Sequence, residues 1–95
     1  MTSFVLNIEG EIFELDFASP GLRLGVETDG HGSHATRSER AADADRQNKL
    51  EDAGWTIRRL TYEQIMFDEP HVVQTVKRAI KACEARAALM AKGEA

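Results

Sequence analysis

Two short apolar stretches carry carboxylates at strand spacing. Alternation with period two places Glu14 and Asp16 on one face of the first stretch, and Glu27 and Asp29 on one face of the second. If those strands are neighbours, Asp16, Glu27 and Asp29 gather at one sheet edge. Like charges that close repel unless protons or a cation compensate, and oxygen ligands of this kind suit Mg²⁺ or Mn²⁺. A solvated face of a half-buried sheet produces the same spacing without any chemistry. Directly after Asp29 comes Gly30-His31-Gly32-Ser33-His34, which sets two imidazoles beside the acids. Histidine moves a proton near neutral pH, while a hard divalent cation polarises a phosphoryl oxygen and activates water, so the combination suits hydrolysis. Histidines in glycine-rich loops are also often idle.

The elements that must position these residues follow from local patterning. Ser3 to Ile8 is dense in apolar residues, Glu9-Gly10-Glu11 supplies a turn, and Phe13, Leu15 and Phe17 alternate with Glu14 and Asp16, as in a β-hairpin. Ser19-Pro20-Gly21 breaks the chain, and Leu22, Leu24 and Val26 alternate with Arg23, Gly25 and Glu27 in a third strand. Gly30 to Ala35 is a loop. Thr36 or Ser38 caps a helix that runs to about Ala53 and stops at Gly54. Trp55 to Leu60 is a fourth strand, bounded by the polar stretch around Glu63 and Gln64, and Pro70 suits the first turn of a final helix. In that helix Val72, Val76, Ala79, Ile80, Cys83 and Ala87 recur at helical spacing. The order β-β-β-α-β-α gives an α/β fold, a mixed sheet of about four strands flanked by helices. On the first helix Asp43 and Arg46 share a broad face with Leu50 and Ala53, either as an ordinary intrahelical ion pair or aimed at the sheet. Arg58 and Arg59 leave opposite faces of the fourth strand, so at most one of them is aimed at the acids.

Length and composition restrict the possibilities. Ninety-five residues, 42% apolar and 29% charged, describe one small domain, residues 1–95, with a single core. The lone Cys83 makes neither an intramolecular disulfide nor a zinc site, which suits an intracellular, cytoplasmic chain. No apolar run approaches the ~20 residues of a spanning helix, and no signal-peptide pattern opens the chain, so no membrane role is expected. A net charge of −4 argues against holding nucleic acid chiefly by a basic surface. It leaves room for a DNA enzyme whose acids hold a metal while its rim stays locally positive.

Taken in order, LDFASPGLRLGVETDGHGSH, DADRQNKLEDAGW and TIRRLT resemble the core of the very short patch repair endonuclease-like family, within the PD-(D/E)XK nuclease superfamily. The resemblance covers Ile12 to about Ile65. It implies a restriction-endonuclease-like core, here a single minimal nuclease-like domain, that hydrolyses phosphodiester bonds in DNA with Mg²⁺ or Mn²⁺. By this resemblance Asp16 and Glu27 hold the metal with the backbone carbonyl of Thr28. Asp29 stands where many superfamily members carry lysine, which shifts the proton-shuttling role toward His34, with His31 the weaker candidate. Asp43 supports the catalytic histidine or the metal shell. Arg46 contacts that shell or a phosphate, and residues of the His loop, His31 among them, steady phosphate charge.

Two departures from the family pattern carry expectations. Family members have a helix with a further acid ahead of the first hairpin, whereas here Met1 stands almost at the first strand. The resemblance then implies a homodimer or a partner protein covering the exposed face, with Phe4, Leu6 and Ile8 as contributors. The zinc motif of the mismatch-repair members is absent, so T:G mismatch specificity does not carry over. A rival reading is a catalytically inactive, nuclease-like module that binds DNA or protein in a phage or defence assembly of bacterial origin.

Overall fold

The computed structural model describes residues 4–29 and 36–93. Strands β1 (Phe4–Ile8) and β2 (Glu11–Leu15) form a hairpin with register Phe4↔Leu15 to Ile8↔Glu11. Its turn is Glu9-Gly10, both at positive φ, and the Asn7 side chain accepts a hydrogen bond from the Gly10 N–H at 2.9 Å. A chain bend at Asp16 separates β2 from β3 (Phe17–Ser19), which pairs antiparallel with β4 (Leu24–Asp29).

Helix α1 (Arg37–Asp52) then crosses over to β5 (Thr56–Thr61), which lies parallel to β4 in register Glu27↔Arg59. Parallel neighbours require such a crossover. A short helix α2 (Tyr62–Phe67) and a long helix α3 (Glu69–Gly93) complete the described chain.

The result is α/β, with a mixed sheet flanked by helices, as expected for a restriction-endonuclease-like core. The described residues form five strands, in a two-stranded and a three-stranded hydrogen-bonded set. The difference from the expected four lies at Asp16. An unbroken strand through Phe17 would bury Phe17 beside Leu15, but Phe17 is half exposed while Leu15 is fully buried. The Asp16 carboxylate accepts from both the Thr28 N–H and the Thr28 hydroxyl, so the chain bends there and changes pairing partner from β1 to β4. Strand β4 also starts later than the alternation suggests. Leu22 and Arg23 are held in a turn by bonds to Ser19 O and Pro20 O.

The starts of α1 and α2 each have a local cause. Thr36 caps α1 in a reciprocal capping box with Glu39, and Thr61 does the same for α2 with Gln64. Gly54 closes α1 at φ +89, a left-handed conformation in which any side chain would be strained.

The helices and the hairpin split the core in two. On the α1 side, Phe13, Leu15, Leu50, Trp55 and Ile57 pack together, with Phe4, Leu6 and Ile8 against them. Phe4 meets Trp55 at a ring-centroid distance of 6.1 Å. The β1 side chains expected to form an outer docking surface therefore face the chain's own core. On the α3 side, Leu24, Ala79 and Cys83 form a second cluster with Leu22 and Ile80. Among the described residues no helix is long and apolar enough to cross a membrane.

Candidate functional site

Register sets the two acidic positions opposite each other. Phe17 pairs with Val26, so Asp16 falls opposite Glu27 where the β3–β4 ladder ends. Asp16 Oδ2 accepts the Thr28 N–H at 2.8 Å and the Thr28 hydroxyl at 3.0 Å. The N–H and C=O of one strand residue leave by the same edge, so the Thr28 carbonyl is directed toward the Asp16 bend as well. Thr28 thus orients Asp16 while offering a main-chain oxygen beside it.

Glu27 projects on the α1 side of the sheet, where its carboxylate is largely buried. Its Oε1 receives Arg46 Nη1 at 2.7 Å, with side-chain exposures of 27% for Arg46 and 16% for Glu27. The other terminal nitrogen of Arg46 donates to the Glu14 carbonyl at 2.6 Å, and the guanidinium lies 5.9 Å from the Phe13 ring centroid. Arg46 therefore clamps the end of the hairpin to β4. That tie accounts for an arginine on an inward helix face.

Asp43, one turn earlier on α1, binds Arg59 of β5 through both carboxylate oxygens, each at 2.7 Å. The hydrogen bonds from Arg59 hold the Asp43 carboxyl below the ordinary aspartate range, and the positive charges of Arg59 and Arg46 add to that against a smaller opposing effect of burial. Because Glu27 and Arg59 are register partners on β4 and β5, the two ion pairs lie side by side. Charges alternate across the helix–sheet interface. Neither acid–base pair is intrahelical. Arg59 is the residue that sequence reasoning left undecided; the buried Ile57 two positions earlier marks the face it shares.

The remaining sequence candidates divide by location. The Asp29 backbone ends β4 opposite Thr61, while its side chain lies outside the described part. His31 and His34 lie outside the described residues. Among the described residues no three His, Cys, Asp or Glu side chains form a metal-ligating group. The backbone sets Asp16 opposite Glu27 at the end of the β3–β4 ladder, where the two carboxylates take different partners, Thr28 and Arg46. Such oxygen donors match a small hard cation in type.

A mixed sheet with acids at the end of its antiparallel pair and a crossover helix supplying Asp43 and Arg46 defines a restriction-endonuclease-like domain. The family model REase_MTES_1575, a restriction endonuclease-like family, matches residues 4–80, and the chain belongs to that family. Two relatives come from Mycobacterium tuberculosis, the uncharacterized proteins MT2308 of strain CDC 1551 and Rv2248 of strain H37Rv. Each is 42% identical over 48 residues, which is 50% of this chain and 18% of the relative. The matching segment thus covers under a fifth of those proteins. No solved structure gives a significant match.

Proposed function

We propose that the chain is the core of a metal-dependent DNA endonuclease of the very short patch repair type. The observation that carries this reading is the placement of Asp16 opposite Glu27 at the Thr28 edge, within a restriction endonuclease-like family. Asp16, Glu27 and the Thr28 carbonyl are the residues that would hold Mg²⁺ or Mn²⁺. A bound cation of this kind supplies Lewis-acid polarisation of a phosphoryl oxygen and lowers the pKa of water. Arg46 holds the Glu27 carboxylate in position through its hydrogen bond, so it acts on the cation site by orienting that acid. Asp43 fixes Arg59 beside Glu27, which sets the position of the neighbouring charges around that acid. His34 is assigned the proton shuttle, with Asp29 and His31 beside it in sequence.

The experiment is incubation of purified protein with supercoiled, linear and branched DNA in Mg²⁺ or Mn²⁺ and in chelator, with calorimetric titration of the metal alongside. Metal-dependent cleavage is expected. Metal binding without cleavage of any substrate overturns the endonuclease reading.

A second reading has its own observation. Glu27 and Asp43 are already neutralised by Arg46 and Arg59, the arrangement of a structural charge network as much as of a cation site. In this reading the domain is a non-catalytic DNA- or protein-binding module of a larger assembly, and the titration shows no metal uptake.

A further inference from the structure

Arg58 and Arg59 are consecutive on β5 and leave opposite faces of the sheet. Arg59 is taken up by Asp43. Arg58 emerges on the α3 side, where it lines an open cleft of about 460 Å³ with Thr75, Arg78 and Ala82. Among the described residues no carboxylate lines this cleft. Arg58 Nη1 donates only to the neutral Ile57 carbonyl, at 3.2 Å, and among the described residues neither Arg58 nor Arg78 forms an ion pair.

The same side of α3 carries further donors at helical spacing. His71 Nε2 lies 3.5 Å from Thr75 Oγ1, and Arg86 bonds the Thr56 hydroxyl and the Gly54 carbonyl, both uncharged. Helix α3 holds five Lys or Arg against two Glu, in a chain of net charge −4. The helix is therefore net basic, with Arg78 and Arg86 on this side and Lys77 and Lys81 lining a separate groove.

Two guanidiniums facing one cleft repel each other unless an anion joins them. The planar donor fork of arginine matches a phosphate, the Thr75 hydroxyl adds a donor, and Ala82 leaves the floor of the cleft open. His71 to Arg86 spans about 22 Å along the helix axis at 1.5 Å per residue, longer than any single small anion. We propose that the cleft between β5 and α3, extended along the His71–Arg86 side of α3, binds successive phosphates of a nucleic-acid backbone. It lies on the opposite side of the sheet from Glu27 and Asp43 and needs neither metal nor catalysis to act.

The test is fluorescence anisotropy of a labelled DNA duplex in chelator, with the full chain as Arg58→Gln, Arg78→Gln and the double variant. Arg40→Gln on the exposed side of α1 serves as a charge-matched control, and circular dichroism verifies the fold of each. The double variant is expected to bind about tenfold or more weakly, with the slope of log affinity against log salt reduced by about one per arginine. Equal loss from Arg40→Gln, an unchanged double variant, or no DNA binding by the wild type overturns the proposal. Wild-type protection from thermal unfolding by inorganic phosphate, lost in the double variant while DNA binding is not, would assign a small anion and overturn it too. Because chelator is present throughout, an inactive nuclease site does not alter the result.

Discussion

Arg59 of β5 grips Asp43 of α1 with both terminal nitrogens, each 2.7 Å from a carboxylate oxygen. This fork fastens the crossover helix to the strand it delivers. Its strength depends on the charge of Asp43, whose pKa is lowered in the folded chain from the ordinary 3.8. A depressed folded pKa contributes stability that is fully present above the unfolded value and is lost as pH falls through the folded one. The wild type should therefore lose part of its stability as pH drops below about 4, in the acid range where such linked losses fall. Asp43→Asn should show a flatter acid limb in urea melts across that range. Parallel curves for the two proteins would show that the fork contributes nothing to acid stability.

Lysine cannot reproduce two contacts with one ammonium, whether at position 59 or at position 46. Arg46→Ala should destabilise the domain by about 1–3 kcal/mol, because it leaves the largely buried Glu27 carboxylate and the Glu14 carbonyl without their donor. Arg46→Lys should recover only part of that. The measurement is the urea midpoint at constant m value. A full recovery by lysine would mean that the bridge to Glu14 carries no weight.

Asp16→Asn and Glu27→Gln should each abolish metal-dependent cleavage and weaken metal uptake while the chain stays folded. Asn retains an oxygen that accepts from Thr28, and Gln retains one for Arg46, so the loss falls on charge rather than on packing. Full activity of either variant at saturating metal removes these two residues from the site.

His34→Ala should lower turnover by roughly 10²-fold or more, the scale of a positioned acid or base, with the smaller effect in His31→Ala. Matching near-wild-type pH–rate profiles for the two variants would take histidine out of the mechanism.

Gly25 of β4 packs directly under the hairpin core. A Cβ there would stand 2.9 Å from Leu15 Cδ1 and 3.0 Å from Ile57 Cδ1, and both side chains are buried. Gly25→Ala should cost about 1–3 kcal/mol through overpacking. Pairing it with Leu15→Val should return part of the loss in a double-mutant cycle, and strict additivity would show that the clash lies elsewhere.

How far the sequence alone reaches depends on whether a signal is local. The hairpin turn at Gly10, the cap at Thr36 and the stop at Gly54 are written in adjacent residues, and the structure places them where the patterning expects. Helix α2 also had a local sign, the Thr61-x-x-Gln64 box, hidden within a stretch that reads simply as polar. The bend at Asp16 had none. Its cause is a pair of hydrogen bonds to Thr28, a residue whose nearness only the tertiary fold creates. The pairing of Asp43 and Arg46 is similar. Helical spacing suggests that they meet each other, whereas β4 and β5 each supply a better-placed partner.

The parallel pairing of β4 and β5 also sets an order of events for a nascent chain. Strand β4 ends at Asp29 and its neighbour begins only at Thr56, so the ladder closes over the whole of α1. Contacts of that sequence separation are slow to form because the loop entropy is lost before any bond compensates it. As the chain leaves the ribosome, Glu27, Asp43 and Arg46 emerge well before Arg59. Until β5 docks, Asp43 has no partner on the sheet, so the Asp43–Arg59 half of the charged cluster can form only after residue 59 has emerged, whereas the contacts of Arg46 need no part of β5.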